Sequence, residues 1–144
     1  MSVEQNVRKL RMGYAAWSVS KGEAIDYWIS LIGENIRWSS VVDESSPGMG
    51  FAVDCRSKDE VQSYFNNLGA IWEMVFFDFE ETVAQDDRVI VFANCKWKNR
   101  VTGKSVETKK IDAFRFKDGK IIEFQEFFDT AKAIAASTPD DGQQ

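Results

Sequence analysis

The first half of the chain places apolar side chains at the spacing of α-helices. Three segments repeat them every three or four residues, which is the period of a helix with one buried face. These faces are formed by Val7, Leu10, Tyr14 and Trp17, by Ile25, Trp28, Ile29 and Ile32, and by Val61, Tyr64, Phe65 and Leu68. Lys21-Gly22 and Gly33 end the first two segments, and Ser57 with Glu60 has the form of a capping box before the third. The pattern predicts three helices.

From residue 74 onward apolar and polar side chains alternate, which is the pattern of half-buried strands. We predict strands over Met74–Val83, Arg88–Lys98, Ser105–Phe116 and Lys120–Phe128, and an earlier short strand over Ile36–Ser40. The long strands follow one another directly, as in an antiparallel meander.

Two short signals complete the predicted fold. Asp118-Gly119 is typical of a hairpin turn between the last two strands. Asp129 is placed to cap a short final helix that ends at Ala136. Three helices followed by a meander predict an α+β domain, in which the helices pack on one face of a curved, mostly antiparallel sheet.

The other face of that sheet is also apolar. We expect it to carry Phe77, Ile90, Phe92, Ile111, Ala113 and Phe127. An open apolar face of this size is a liability in a monomer. The pattern therefore predicts a homodimer that packs through the sheet.

Length and histidine content restrict the chemistry. The 144 residues suit a single domain, which we assign to residues 1–136, followed by a polar tail over 137–144. The sequence has no histidine, which excludes Ser-His-Asp and Cys-His nucleophiles and histidine-ligated metals. We expect no metal ion and no cofactor. Acid–base chemistry must come from carboxylates, Lys, Tyr, Cys or water.

Charge and cysteine content restrict the partners. The net charge of −5 has the wrong sign for a nucleic-acid-binding domain. Cys55 and Cys95 are too few for a disulfide framework or a metal cluster. No apolar run approaches the roughly 20 residues that a membrane-spanning helix needs. We expect a cytoplasmic protein that binds neither nucleic acid nor membrane.

The chain resembles a known superfamily over nearly its whole length. The order of elements over residues 5–136 and the segments FRFKDGKI and EFFDT are similar to those of the nuclear-transport-factor-2-like superfamily, in its SnoaL-like and ketosteroid-isomerase-like branch. This resemblance implies a cone-shaped α+β barrel that opens as an apolar pocket, often in a sheet-packed homodimer. Known members include isomerases, polyketide cyclases, dehydratases and epoxide hydrolases, together with proteins of no known chemistry.

The resemblance also implies which strand faces line the pocket. We expect ligand contacts from Trp38, Val91, Ala93, Cys95, Trp97, Phe114, Phe116, Phe124 and Phe128. Among these, Cys95 is expected to act as a small apolar residue rather than a nucleophile. The flat rings of Trp38 and Trp97 would favour a polycyclic or aromatic substrate.

Two acids on adjacent predicted strands are the candidate catalytic residues. By resemblance, Asp112 stands where the isomerases carry an oxyanion-hole aspartic acid, and Glu126 stands where they carry a small apolar residue. Ser40 occupies the position of their general base, and Tyr14 lies within about one residue of their helical tyrosine. Two carboxyls in a desolvated pocket cannot both ionise cheaply. We hypothesise that Glu126 is a base, Asp112 an acid or hydrogen-bond donor, and Tyr14 a second donor.

An alternative role for the two acids stays open. Lys110 lies two residues from Asp112 on the same strand face and could neutralise the acids in a structural network. The first functional hypothesis is a cofactor-independent isomerase, cyclase or lyase that moves a proton on a small hydrophobic carbonyl compound. The second is a non-catalytic module that binds a lipophilic molecule or serves dimerisation.

Overall fold

The computed structural model describes residues 2–140, within which the chain forms four helices and five strands. In chain order these elements are α1 (Val3–Val19), α2 (Asp26–Leu31), β1 (Ile32–Ser40), α3 (Lys58–Ile71), β2 (Trp72–Gln85), β3 (Arg88–Asn99), β4 (Ser105–Lys117), β5 (Lys120–Phe128) and α4 (Thr130–Ala136). The predicted α+β layout is confirmed. None of the described helices is long and apolar enough to cross a membrane.

The helix ends follow the polar signals in the sequence. Ser57 accepts a hydrogen bond from the backbone N–H of Glu60, as an N-cap residue does. The return bond of a capping box is not made to Ser57, because the Glu60 carboxylate accepts from the backbone N–H of Arg56 at 2.9 Å. Asp129 caps α4 through the N–H of Lys132. After α1 the chain turns at Lys21 and Gly22, both with positive φ.

The sheet has the strand order β1-β5-β4-β3-β2. β2 to β5 form the predicted antiparallel meander, and β1 pairs with β5 in parallel. β1 begins at Ile32, four residues before the predicted start. Its register with β5 shifts between Ile32 and Arg37, and Asn35 has a φ of +60° in this interval. The irregularity hides the alternation that would have revealed the first half of the strand.

The helices cover the inner face of the sheet with aromatic contacts. The ring of Tyr14 in α1 stacks on Phe77 of β2 at a centroid distance of 5.6 Å. The ring of Tyr64 in α3 meets Trp38 of β1 edge-on, also at 5.6 Å. These contacts place the main core between α1, α3 and the sheet.

Phe77 lies on this inner face and is 2% exposed, so its predicted outward position is wrong. The reason is a bulge in β2, where Met74 pairs with Trp97 and Phe76 pairs with Lys96, which leaves Val75 unpaired. One extra residue exchanges the two faces of a strand. Phe127 keeps the predicted outward position and is 37% exposed. The remaining predicted outer residues, Ile90, Phe92, Ile111 and Ala113, are half-buried.

The predicted polar tail begins in contact with the domain. The Ser137 hydroxyl accepts from the side-chain amide of Asn99, and the carbonyl of Thr138 accepts from the ammonium of Lys104 at 2.7 Å. Asp140 forms an ion pair with the same ammonium. Residues 141–144 of the predicted tail lie outside the described residues.

Candidate functional site

A cavity of about 80 Å³ lies between α1, α3 and the inner sheet face, and most of its lining is aromatic or aliphatic. The lining residues are Tyr14, Trp17, Trp28, Trp38, Met49, Phe51, Tyr64, Phe65, Leu68, Trp72, Phe77, Cys95, Trp97, Val106, Thr108, Lys110, Asp112, Phe114, Phe124, Glu126, Phe128 and Ala133. Three of them are charged. Since apolar surroundings strengthen electrostatic interactions, these three dominate the polar character of the cavity.

Strand pairing brings the two candidate acids together. Asp112 of β4 and Glu126 of β5 are direct partners in the antiparallel register, so their side chains leave the same face side by side. They are 3% and 2% exposed, respectively. The juxtaposition inferred from sequence is present in the structure.

Asp112 uses both carboxylate oxygens as acceptors. The hydroxyl of Tyr14 donates to Oδ2, and the ammonium of Lys110 donates to Oδ1 at 2.6 Å. In this arrangement Asp112 accepts two hydrogen bonds and donates none. Both of its oxygens are occupied by contacts within the protein, and the hypothesised role of Asp112 as an acid or hydrogen-bond donor stays a prediction.

Glu126 uses only one of its two carboxylate oxygens. Its Oε1 accepts from the hydroxyl of Tyr64 at 2.9 Å and lies 3.2 Å from the ammonium of Lys110. Its Oε2 is buried and has no hydrogen-bond partner among the described residues. Glu126, a lining residue of the cavity, therefore keeps one buried acceptor atom without a partner in the described part of the chain.

Lys110 lies between the two acids and is only 14% exposed. Its ammonium is also 5.6 Å from the ring centroid of Phe124 and 5.9 Å from that of Phe77, within the range of a cation–π contact. Burial alone would lower the pKa of Lys110, but the charges of Asp112 and Glu126 outweigh it and raise the pKa above its usual value. The ammonium stays charged and compensates one of the two carboxylates.

The hydroxyls of Tyr14 and Tyr64 complete what we call the Lys110 cluster, formed by these two tyrosines with Lys110, Asp112 and Glu126. Burial, followed by the charge of the adjacent carboxylate, raises the pKa of both tyrosines well above the usual value. Both phenols therefore remain protonated donors. Tyr14 points toward Asp112 and donates to it.

The predicted ligand contacts divide into two groups. Six of them line the cavity, namely Trp38, Cys95, Trp97, Phe114, Phe124 and Phe128. Val91, Ala93 and Phe116 share the inner face but do not line it, and each is at most 3% exposed. Alternation predicts which face of a strand is buried, whereas the depth of the cavity depends on how far the helical side chains fill the barrel. The ligand contacts expected at these three positions stay a prediction.

Trp38 is packed into the wall of the cavity. Its ring stacks on Phe124 at a centroid distance of 3.9 Å, and its side chain is 3% exposed. Its Nε1 atom is buried and has no hydrogen-bond partner among the described residues. The cavity itself is too small for the polycyclic substrate that the tryptophans suggested, because even benzene occupies cavities of about 150 Å³.

The position of the isomerases' general base holds Ser40, and Asp43, three residues later in the chain, does not supply a free carboxylate in the cavity. Ser40 is the parallel partner of Glu126, so the base position and the unusual acid are neighbours in the sheet. Asp43 is exposed and accepts from both the backbone N–H and the hydroxyl of Ser45, each at 2.8 Å. These bonds make Asp43 part of a turn.

The cysteine thiols are buried and held in the neutral form. Burial raises the pKa of Cys95 to about 12 and that of Cys55 to about 11. The Cys95 thiol lies 3.7 Å from the carbonyl of Thr108. These surroundings favour the expected apolar role, since a nucleophilic cysteine needs a lowered pKa.

Sequence reasoning treated Tyr64 as a core residue and missed its part in the cluster. Its position on the inner face of α3 was correct. The available signal was the polar end of a tyrosine on an otherwise apolar helix face, because a buried phenol needs a hydrogen-bond partner. The partner itself lies 62 positions away in the sequence, and only the fold brings the two together.

Comparison with known families and solved structures agrees with the superfamily that the sequence resembles. A family model described as a SnoaL-like domain matches residues 11–124. A search among curated proteins gives no match. An NTF2-like protein of unknown function from Burkholderia pseudomallei is 24% identical, with a TM-score of 0.80 over 96% of this chain and 99% of that one.

Two further crystal structures extend this likeness. An NTF2-like protein from Burkholderia thailandensis is 28% identical, with a TM-score of 0.70 over 84% of this chain and 95% of that one. A hypothetical protein from Catenulispora acidiphila with a ketosteroid-isomerase-like fold was solved in complex with trimethylamine. It is 11% identical, with a TM-score of 0.69 over 91% and 97% of the two chains. At this identity the likeness concerns the fold alone.

Proposed function

Because the chain belongs to the SnoaL-like domain family, we propose that it binds a small, largely apolar molecule in the cavity beside the Lys110 cluster. The observation that carries the proposal is an apolar cavity with a single buried group of charges at its wall. Ligand sites typically combine an apolar lining with a few fixed polar groups. In this cavity, the polar groups are held by hydrogen bonds and can orient a ligand without rearrangement.

Two substitutions at one position test binding. Cys95 lines the cavity and makes no strong polar contact. Cys95→Leu should fill part of the cavity and abolish binding, whereas Cys95→Ala should leave it open. The probes are 2-propanol, acetone and 2-chloropropane, and the measurement is the rise in Tm that a ligand of the folded state produces. If no probe raises the Tm of the wild type, or if Cys95→Leu responds as the wild type does, the proposal is wrong.

A second candidate function is proton transfer, with Glu126 as the base. It is favoured by one observation, the unpartnered Oε2 of a carboxylate that Tyr64 and Lys110 hold in place. A fixed base beside a carbonyl compound can take a proton from the carbon next to the carbonyl group. Asp112 would act as a positioning residue, since it touches Lys110 and Tyr14 with both oxygens.

Hydrogen–deuterium exchange of acetone in D₂O tests this second function. Glu126 would remove a proton from the methyl group to leave the enolate, exchange that proton with the solvent and return a deuteron. Glu126→Gln should abolish any acceleration over buffer. Asp112→Asn should slow the exchange less, because it leaves Glu126 in the cavity. Exchange at the buffer rate in the presence of wild-type protein would exclude the function for acetone, and equal rates for Glu126→Gln and the wild type would exclude Glu126 as the base.

A further inference from the structure

Two residues that line the cavity each carry one buried polar atom without a partner in the part of the chain that the structure describes. Trp38 Nε1, a donor, and Glu126 Oε2, an acceptor, are buried and make no hydrogen bond within the described residues. Both residues line the same cavity. The third such atom, Oδ1 of Asn6, belongs to a residue that does not line it. Since buried polar groups are nearly always hydrogen-bonded, a donor and an acceptor left over in one cavity indicate the polar groups of its occupant.

The charges around the cavity restrict the occupant further. A carboxylate bordered by aromatic rings would ordinarily suit a small cation. In this chain Lys110 already fills that role, because its ammonium contacts both acids and lies over Phe77 and Phe124. A second cation would be attracted by the uncompensated carboxylate but repelled by the nearby Lys110 ammonium, and an anion would be repelled by the free oxygen of Glu126. A neutral molecule avoids both penalties.

The volume of the cavity sets the size of the occupant. A dry apolar cavity of about 150 Å³ binds benzene. The present cavity, of about 80 Å³, is little more than half as large. It therefore suits a molecule of about four non-hydrogen atoms.

We infer that the ligand of this cavity is a small neutral alcohol whose hydroxyl donates to Glu126 Oε2 and accepts from Trp38 Nε1. The inference rests on the proposed function, because it names the class of molecule that the cavity binds. A hydroxyl is the smallest group that both donates and accepts a hydrogen bond. It also differs from the carbonyl compound expected by the proton-transfer hypothesis, since a ketone can only accept.

Five probes of equal size, each with four non-hydrogen atoms, distinguish the effect of hydrogen bonding from that of charge. They are 2-propanol, acetone, 2-chloropropane, isopropylammonium and acetate. The measurement is a titration of ¹⁵N-labelled protein followed by NMR, in which the indole N–H resonance of Trp38 reports on the cavity. This resonance is assigned by its loss in Trp38→Phe. We expect 2-propanol to shift it and to bind about tenfold more tightly than acetone or 2-chloropropane, and the two ions not to bind.

Two variants test the named atoms. Trp38→Phe keeps an aromatic ring but removes the donor, so it should weaken 2-propanol binding more than 2-chloropropane binding, as judged by thermal shift. Glu126→Gln can present an amide N–H₂ to the cavity, which donates to an acceptor-only ligand. It should therefore improve acetone binding relative to 2-propanol.

The outcomes separate the inference from the proposed function. Equal binding of 2-chloropropane and 2-propanol would overturn the inference, although the cavity would still bind apolar molecules. Binding of isopropylammonium or acetate at least as tight as that of 2-propanol would also overturn it. If none of the five probes binds at millimolar concentrations, both the proposed function and the inference fail. Preference for 2-propanol that is lost in Trp38→Phe supports both.

Discussion

The ammonium nitrogen of Lys110 lies 3.2 Å from Oε1 of Glu126. Glu126, the acid for which the family resemblance offers no counterpart, is thereby paired with a charge of the opposite sign. The same ammonium is bonded to Asp112. The two acids therefore share a cation rather than only a proton. The shared cation favours a structural or ligand-orienting role for the two acids over that of a free pair of carboxyls. The sequence had left both roles open. The central claim is that the chain supplies its own cation to this site.

The first prediction concerns the packing of α1 against α2. A Cβ atom at Gly13 would lie 2.8 Å from the Trp28 ring, which also stacks on Phe114. Gly13→Ala should destabilise the fold by about 1–2 kcal/mol, because overpacking outweighs the gain in helix propensity. Gly69→Ala is the matched control, since nothing lies within 4 Å of its added Cβ in α3. It should stabilise by up to about 1 kcal/mol. Denaturant unfolding measures both, and equal effects would contradict the packing described for Trp28.

The second prediction concerns alkaline pH. The folded-state pKa values of Tyr14 and Tyr64 are raised above the unfolded value of 10.0. Above this pH the unfolded chain loses protons that the folded chain retains, so the free energy of unfolding falls as pH rises. Lys110 adds to the loss in the same direction, because its pKa is also raised.

Tyrosinate absorbance tests this prediction. Of the three tyrosines, Tyr27 is half-buried and should ionise while the protein is still folded, since burial raises its pKa less than those of Tyr14 and Tyr64. The other two should ionise together with the loss of the folded circular dichroism signal. Reversible ionisation of all three before unfolding would show that Tyr14 and Tyr64 are not buried donors.

The third prediction concerns the thiols. Cys55 and Cys95 are both buried, with pKa values raised to about 11 and about 12. Neither should react with a thiol reagent at neutral pH while the protein is folded, and both should react after denaturation. Ellman's reagent measures this directly. Rapid reaction of one thiol in the folded protein would identify an accessible route into the core.

The fourth prediction concerns the outer face of the sheet, which carries half-exposed Ile90, Phe92 and Ile111 with exposed Phe127. We predict that two copies pack through this face, because it is apolar and uncovered in one copy. Sedimentation should give a two-subunit mass, and Phe92→Glu should reduce it to that of one subunit. Val101→Glu, at an 86% exposed turn position, is the control and should leave the dimer intact. A one-subunit mass for the wild type at high concentration would contradict the prediction.

Much of the fold was predictable because its signals are local. The period of α1, the hairpin at Asp118-Gly119 and the cap at Asp129 each depend on a few neighbouring residues. Phe77 was misplaced because a bulge leaves no mark in the alternation of residue types. Bulges and register shifts are set by pairing with a neighbouring strand.

The sequence predicted the two acids of the candidate site better than the residues that contact them. Asp112 and Glu126 stand out as charges on apolar strand faces, and Lys110 shares the face of Asp112. That Lys110 reaches both acids depends on distances that spacing does not determine. Tyr64 carried even less signal, because a tyrosine on a buried helix face also suits the core.

The most direct test of the central claim is the rescue of Lys110→Ala by methylammonium. Removal of Lys110 should destabilise the protein by about 3–5 kcal/mol, because two buried carboxylates lose their cation. Lys109→Ala is the control. Its side chain is 75% exposed and pairs only with Glu80 among the described residues, so the loss should be at most about 1 kcal/mol. If Lys110→Ala is too unstable to purify, Lys110→Met retains more of the packing, and ammonium, which is small enough for the space that remains, replaces methylammonium as the added cation.

The measurement is the Tm of each variant with increasing methylammonium. Our account predicts that millimolar methylammonium raises the Tm of Lys110→Ala, because it binds in the space beside Phe77 and Phe124 that the ammonium occupied. The Tm of the wild type and that of Lys109→Ala should not change. A variant as stable as the wild type, or one that methylammonium does not stabilise, would show that Lys110 is not the internal cation of this site.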